Sequence, residues 1–504
     1  MKAAFSLFTL LLLAPLTGLH AAPATAKPNI LILYADDMGY GDLGANNPAS
    51  KIPTPQLDRL AAEGLRFTDG HSSSGICTPS RYAMLTGRHH WRDFHGIAGP
   101  YDGTVFKPGQ LTLPAMLRQQ GYATACIGKW HLGMDWDAIR KPGTPKDSIQ
   151  HSDFDWTKPF PGGPLDHGFD HYFGDNVINF PPYAWIENDR LVAAPDTTLT
   201  KFPGKPKEGG WGCAPGPARS DWDFYQVLPT LTRKGVEYIQ SRKGKDQPFF
   251  LYFPLPSPHV PIVPTDAFDG KSKAGAYGDF VCQTDDACGQ LLAALRASGL
   301  ESNTIVIFSA DNGAERSAYA RDEKVDHWSS APFRGVKRDI YEGGHHVPFL
   351  IKWPGVTKAG TVTDALISQV DLMATFAALV NFDLPKNAAE DSHNFQPWLK
   401  GASKTPPRST MVHNTYEKYG YAIRDGDWLL VDAKSGYAQH KPPPAWNKKH
   451  QQEPDDRQPV ELYNLKEDIG QKHNLASGHP DKVAELQALL KKIRDQGHSS
   501  PRLN

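Results

Sequence analysis

The sequence predicts an α/β protein: a large, mostly parallel sheet sandwiched by helices, then a smaller C-terminal α+β domain built on an antiparallel sheet. Three observations carry this. Residues 29–34 (NILILY), 248–253 (PFFLYF) and 304–308 (TIVIF) are short continuous apolar runs, the pattern of strands buried on both faces. Helical stretches separate them, and alternation of strand and helix means a parallel sheet covered on both sides. After the polar, proline-containing stretch 391–407, the pattern changes to short half-exposed strands at 419–424, 427–432 and 460–465, closed by an amphipathic helix over 483–493.

Taken in order, the chain begins with a targeting segment. Lys2 precedes an almost wholly apolar run over 3–19, and small residues between Ala21 and Ala26 offer cleavage points, so 1–26 reads as a secretory signal peptide. Pro15 and Gly18 break the run, which is too short for a membrane anchor. The expectation is an exported protein, periplasmic or secreted, with no membrane attachment after cleavage. A catalytic domain over 27–405 follows. Thr54-Pro55 opens a helix that stops near Gly64. Residues 113–120 are helical and 122–127 (YATACI) form a strand. Residues 140–223 are rich in Pro, Gly and aromatics and too long for a simple connection, so they read as a functional insertion. A helix over 278–298, a strand over 347–353 and a helix over 371–380 complete the domain. The second domain spans 406–504.

Composition excludes several classes. With 54 Lys+Arg against 55 Asp+Glu the chain has no positive excess, which argues against a nucleic-acid partner. Five cysteines in 504 residues are no disulfide framework, and an odd count leaves a thiol unpaired. Cys282 and Cys288 lie six apart on a predicted helix, about 9 Å along its axis, beyond a disulfide's reach.

Polar residues cluster where strands end. Asp36 and Asp37 follow the first strand, Lys129 and His131 follow YATACI, His259 comes shortly after PFFLYF, and Asp311-Asn312 follow TIVIF. Open α/β sheets bind ligands outside the carboxyl ends of their strands. Each site taken singly reads as a turn former or helix cap, but four together on one edge do not. Asp36, Asp37, Asp311 and Asn312 offer oxygen ligands, which suit a hard cation, Ca²⁺ first and Mg²⁺ second. Lys129, His131, His259 and Lys337 supply the opposite charge. Metal and cations together describe a site for an oxyanion ester. The candidate nucleophile is Cys77, at the positive N-terminal end of a helix in which Pro79 occupies the first turn and Arg81 lies one turn on.

Cys77-Thr78-Pro79-Ser80-Arg81 resembles the C-x-P-x-R signature of type I (formylglycine) sulfatases. Leu33-Tyr34-Ala35-Asp36-Asp37-Met38-Gly39, Thr86-Gly87-Arg88, Gly128-Lys129-Trp130-His131-Leu132-Gly133, Pro258-His259, Asp311-Asn312-Gly313, Arg334-Gly335-Val336-Lys337 and Tyr341-Glu342-Gly343-Gly344 follow the family's order. The resemblance runs from Lys27 into the small domain. It implies that Cys77 is oxidised to formylglycine by a maturation enzyme, and that the hydrated aldehyde attacks sulfur before eliminating sulfate. It further implies that Asp36, Asp37, Asp311, Asn312 and the residue at 77 hold Ca²⁺. The resemblance also implies that Arg81 stabilises the gem-diol, that His131 is the base for elimination and His259 the acid on the leaving oxygen, and that Lys129 and Lys337 clamp sulfate. Segments around residues 179–190, 251–264 and 271–280 are similar to relatives of arylsulfatase A and galactosamine-6-sulfatase. These, with the aromatic-rich insertion, point to a sulfated carbohydrate, 6-O-sulfated galactose or N-acetylgalactosamine. A phosphate or phosphonate ester hydrolase and a non-catalytic glycan-binding relative are the alternatives. Tyr172, Phe173, Phe180, Tyr183 and Trp185 are candidates for stacking on sugar, with core packing the alternative. His89, His90, Asp93 and His95 are candidates to reach the sugar ring. His167, His345 and His346 are left as structural.

Overall fold

A computed structural model describes residues 27–439, 441–452 and 459–503. Residues 1–26, expected to be a signal peptide, lie outside the described residues. Strands β1 (Asn29–Ala35), β2 (Leu65–Phe67), β3 (Ala123–Ile127), β4 (His171–Gly174), β5 (Ile186–Glu187), β6 (Arg190–Leu191), β7 (Phe249–Pro254), β8 (Thr304–Ala310), β9 (Phe349–Lys352) and β10 (Thr361–Thr363) form one sheet. Its order is β10-β2-β9-β8-β1-β7-β3-β4-β5-β6. The centre, β8-β1-β7-β3-β4, is parallel throughout, with Leu31 paired to Leu251 on one side and Val306 on the other. The strand expected at 347–353 is present but antiparallel to both neighbours.

The apolar runs do what their pattern predicts. Ile30, Ile32 and Tyr34 of β1 enter one core, and Leu31, Leu33 and Ala35 enter the other. All are fully buried, and each large side chain contributes roughly 1.5–3 kcal/mol relative to exposure. Helices α1 (Pro55–Glu63), α2 (Cys77–Thr86), α3 (Leu113–Gln119), α4 (Val227–Ser241), α5 (Gly275–Ala297) and α6 (Leu372–Leu379) cover the faces. The stretch expected to be an insertion partly extends the sheet: β4 to β6 come from its middle, and Thr197–Leu199 pairs with Gly216–Ala218 as a separate ribbon.

The C-terminal sheet, β11 (Thr410–Asn414), β12 (Tyr421–Asp425), β13 (Trp428–Asp432) and β14 (Glu461–Asn464), is antiparallel in sequence order. Helix α7 (Pro480–Asp495) packs on it through Leu486, Leu490 and Ile493. Polar ties join this sheet to the part of the chain built on the large sheet: Arg424 donates to Asp69 at 2.7 Å, Arg334 to the hydroxyls of Tyr437 and Tyr463, and the Tyr341 hydroxyl to Glu461. Among the described residues no helix is long and apolar enough to cross a membrane. All five cysteines are unpaired, as expected for Cys282 and Cys288.

Candidate active site

Helix α2 starts at Cys77 itself, after an extended Ile76 and without a side-chain cap, and ends at Gly87 in the left-handed region (φ 68°). The four leading N–H groups of a helix lack intrahelical partners, so the residue at 77 sits among them. All ten residues of α2 are buried. Thr78 bonds the carbonyl of His131 and Ser80 that of Ser74, which locks the helix start against two neighbouring loops.

Around Cys77 the strand ends converge. Its Sγ lies 3.6 Å from Asp36 Oδ1, and one ligand-type atom from each of Asp36, Asp37, Cys77 and His259 falls within 4.8 Å of the others. Lys129 Nζ donates to Asp36 at 2.6 Å, and Lys337 Nζ meets Asp37 at 2.7 Å. Arg81 donates through Nε and Nη2 to Asp311 Oδ2, and its Nη2 lies 3.6 Å from Asp36. Asn312 Nδ2 donates to Asp37 Oδ1 at 2.7 Å, and the Asp37 amide donates to Asp311 at 3.2 Å. The backbone pays attention to this edge: Gly128 (φ 132°) sits where a Cβ would come within 2.0 Å of the Pro254 carbonyl, so only glycine lets Lys129 turn inward.

Burial raises the cost of every charge here, and the neighbours decide the outcome. Asp36 is desolvated, yet Lys129, His259 and Arg81 hold its carboxyl well below the usual range. Asp37 is pushed up by burial despite Lys337, and Asp311 by burial and by Asp36. Burial and Asp311 push the Cys77 thiol up, so an unmodified thiolate nucleophile is disfavoured. Burial, then Lys337, pushes His259 down to about 3, and burial, then Lys129, lowers His131.

The donor set fits a hard divalent cation. Three carboxylates face Lys129, Lys337 and Arg81, so the cluster is near neutral and can take a divalent cation together with an anionic ester. Asn312 Oδ1 is buried with no partner, an acceptor aimed at nothing the chain supplies. Asp311 lies one step away, its oxygens held by Arg81 and the Asp37 amide.

His131 is fixed by a bond between Nε2 and the Ala98 carbonyl, which puts the proton on Nε2 and leaves Nδ1 bare, buried and without a partner. His259 Nδ1 bonds the Val260 carbonyl at 2.6 Å, so its Nε2, 3.7 Å from Asp37, is the free nitrogen. A cleft of about 780 Å³ reaches Val260, the chain neighbour of His259, and Arg338, the neighbour of Lys337, and is lined by Glu315, Arg316 and Lys441 among others.

Of the five aromatics considered for stacking, Tyr172, Phe173 and Tyr183 are buried in the core. Trp185 stacks on Phe173, and only Phe180 approaches the cluster, edge-on to His131 at 5.5 Å. The histidine loop is otherwise engaged: His90 bonds Asn414, Asp93 takes bonds from Arg88 and Lys107, and His89 is buried against Trp91. His95 is exposed and lines a different groove with Arg92 and Lys418. Sequence reasoning passed over Asp175-Asn176. Asn176 Oδ1 receives the His131 amide, and Asp175 is buried with both oxygens unpartnered, its carboxyl raised to about 7 by burial. The signal was there, since the pair follows β4 just as Asp36-Asp37 follow β1.

A parallel sheet whose strand ends gather carboxylates, lysines and histidines around one helix start defines a hydrolase fold for oxyanion esters. The chain belongs to the sulfatase family, whose profile matches residues 28–382, and it is a sulfuric ester hydrolase. A second profile, the C-terminal part of N-sulphoglucosamine sulphohydrolase, matches residues 335–434. An N-acetylgalactosamine-6-O-sulfatase of Bacteroides thetaiotaomicron is 32% identical, covering 93% of each chain. Human arylsulfatase A is 33% identical over 96% of this chain and 90% of its own. A solved sulfatase from the glycosaminoglycan metabolism of Bacteroides thetaiotaomicron superimposes with a TM-score of 0.78 at 30% identity, covering 94% of this chain and all of its own. The fold is shared by a sulfatase from Pseudoalteromonas sp. (TM-score 0.69, 23% identity, 94% and 91% covered).

Proposed function

We propose that this enzyme is exported and removes a sulfate ester from a sulfated sugar, with Cys77 converted to formylglycine by a maturation enzyme. The observation that carries the reading is the setting of Cys77: a buried thiol pushed away from ionisation, at a helix start, against Asp36 and within 4.8 Å of a histidine nitrogen. Such a thiol is a poor nucleophile as it stands. The hydrated aldehyde supplies an oxygen nucleophile and, after transfer, a second hydroxyl that expels sulfate. Asp36, Asp37, Asp311, Asn312 and the residue at 77 would hold Ca²⁺, which when bound would offset charge on the sulfate oxygens.

The remaining side chains have separable tasks. Lys129 and Lys337 take sulfate oxygens while keeping their carboxylate partners. Arg81, clamped by Asp311, orients the nucleophile. His131, with a bare Nδ1, accepts the proton in the elimination. His259 is neutral in the resting site, and the negative charge of the substrate draws a proton to its Nε2 for delivery to the leaving oxygen. The sugar occupies the cleft beside His259, where Arg316, Arg338 and Lys441 suit an anionic glycan. The N-acetylgalactosamine-6-O-sulfatase at 32% identity supports a 6-O-sulfated N-acetylgalactosamine, with galactose, of the same ring configuration, as the second candidate.

The test is sulfate release from a panel of regiospecifically sulfated galactose, N-acetylgalactosamine and glucosamine sugars, run beside matched aryl sulfate and aryl phosphate. Release from a galacto-configured 6-sulfate and preference for aryl sulfate are expected. Faster turnover of the phosphate sinks the reading. An unmodified Cys77 in the peptide mass spectrum of active enzyme sinks the formylglycine mechanism.

A further inference from the structure

Away from this edge, where the C-terminal sheet meets the first domain, three histidines from distant segments meet in a sealed space. His71 follows Asp69-Gly70, His345 lies just after the Glu342-Gly343-Gly344 turn, and His413 is on β11. None exposes more than 1% of its surface, and one nitrogen from each lies within 4.8 Å of the others.

The hydrogen bonds fix where the protons are. His71 Nε2 lies 2.7 Å from Asp69 Oδ1, and that carboxyl, although buried, is held ionised by His71 and Arg424, so it only accepts. His345 Nε2 lies 3.0 Å from the Ile340 carbonyl, which also only accepts. Each ring therefore carries its proton on Nε2, and each presents a bare lone pair on Nδ1. Those two Nδ1 atoms face each other at 3.1 Å. Two lone pairs at hydrogen-bond distance repel unless a positive centre lies between them. With metal–nitrogen bonds of about 2.0–2.1 Å, a 3.1 Å separation corresponds to an angle of about 98° at the ion, within the range of a distorted tetrahedral site.

His413 adds the independent observation. Both its nitrogens are buried and have no partner, and its ring stacks on His345 at 3.6 Å. No hydrogen bond opposes its rotation, so one nitrogen can turn to the same ion. His346, by contrast, has both nitrogens matched to acceptors, Glu342 and the Thr68 carbonyl, and is not available. Burial keeps His71, His345 and His413 in the neutral form, the form that ligates.

We propose that His71, His345 and His413 form a second metal site, for a divalent transition metal of the zinc class, that pins the C-terminal sheet to the first domain. Imidazole nitrogens select such ions over the hard cation of the carboxylate cluster. Asp69 on His71 and the Ile340 carbonyl on His345 are the outer partners that orient metal-binding histidines. The ion supplies the positive centre between the two bare Nδ1 atoms, and two of its three ligands sit on one side of the domain junction and the third on the other.

The experiment uses the full enzyme, freed of transition metals with 1,10-phenanthroline in excess Ca²⁺, then titrated with Co²⁺ as a spectroscopic probe. One Co²⁺ per chain with the absorption of a nitrogen-ligated, low-coordinate ion is expected, with a rise in melting temperature when Zn²⁺ is used instead. His413→Phe, which keeps the stacking, and His345→Gln should each weaken Co²⁺ binding by at least tenfold. Asp311→Asn, in the other cluster, should leave the spectrum unchanged. A wild-type enzyme that shows no such spectrum, or whose Co²⁺ spectrum survives His413→Phe and His345→Gln but is lost in Asp311→Asn, overturns the proposal and leaves a shared proton between His71 and His345.

Discussion

At the carboxyl edge of the sheet, Asp36, Asp37, Asp311, Lys129, Lys337 and Arg81 are sealed from water as charges. At the junction with the C-terminal sheet, His71, His89, His90, His345 and His413 are sealed as neutral rings. The first cluster offsets desolvation with short ion pairs of 2.6–2.8 Å. In the second, Asp69 bonds His71 and Asp391 lies near His89, but burial outweighs these charges and keeps the rings unprotonated. The difference teaches what each cluster can bind. Carboxylate oxygens with adjoining cations suit a hard ion together with an anionic ester. Bare imidazole nitrogens suit a softer ion and nothing anionic. It also separates two kinds of failure: damage to the first should remove chemistry, and damage to the second should loosen the junction.

The widest separation is expected from Cys77→Ala. Turnover of an aryl sulfate should fall on the order of 10⁴-fold or more, since removing a covalent nucleophile leaves only binding and positioning. The melting temperature and the imidazole-ligated Co²⁺ spectrum should stay near wild type, because Cys77 touches neither the junction nor its histidines. Steady-state kinetics beside a thermal melt checks both halves. A variant that keeps full activity, or that unfolds, breaks the division between the clusters.

Much of the first cluster is legible in the sequence and almost none of the second. Asp36-Asp37 and Asp311-Asn312 come at the ends of apolar runs and Lys129 and His259 within a few residues of theirs, so local pattern plus the rule for parallel sheets brings them to one edge. Asp175-Asn176 follows β4 in the same way but sits inside a Pro- and aromatic-rich stretch, and that composition hid the strand. The histidine cluster has no such local signature. His71 and His345 are 274 positions apart and His413 lies on the small C-terminal sheet. Their meeting depends on how the small sheet docks, which is set by contacts such as Arg424 with Asp69 that no periodicity reveals. The antiparallel β9 was likewise invisible, because a buried apolar run reads the same in either direction.

A smaller effect, and one that crosses the division, is expected from Asp311→Asn. Arg81 is fully buried and donates twice to Asp311, and Asp36 at 3.6 Å is already held by Lys129. Removing one partner of a buried pair costs about 3–5 kcal/mol. Urea unfolding in saturating Ca²⁺ should show that loss, together with a fall in turnover. A loss of activity with unchanged stability would mean that Asp36 alone can hold Arg81.

The smallest effect sharpens the comparison through pH. Burial pushes His90 down to about 3 and His89 to about 4, against an ordinary value near 6.5. Between those values the unfolded chain binds protons that the folded chain refuses, so stability rises with pH there and is lost as pH falls below about 6.5. Each such ring removes about 1.4 kcal/mol per pH unit until its folded value is reached. Asp36 works at lower pH: its depressed value makes its stability contribution present above the ordinary carboxylate range and lost only as pH falls well through it. Acid should therefore loosen the histidine region first. Replacing His90 with Gln keeps a group that can bond Asn414 and removes one titrating ring. The unfolding free energy of His90→Gln from urea melts, followed from pH 7 to pH 5, should fall less steeply than wild type by about 1.4 kcal/mol per unit once well below 6.5. Parallel slopes for the two proteins would show that His90 takes up its proton without unfolding, and that burial protects it less than its packing implies.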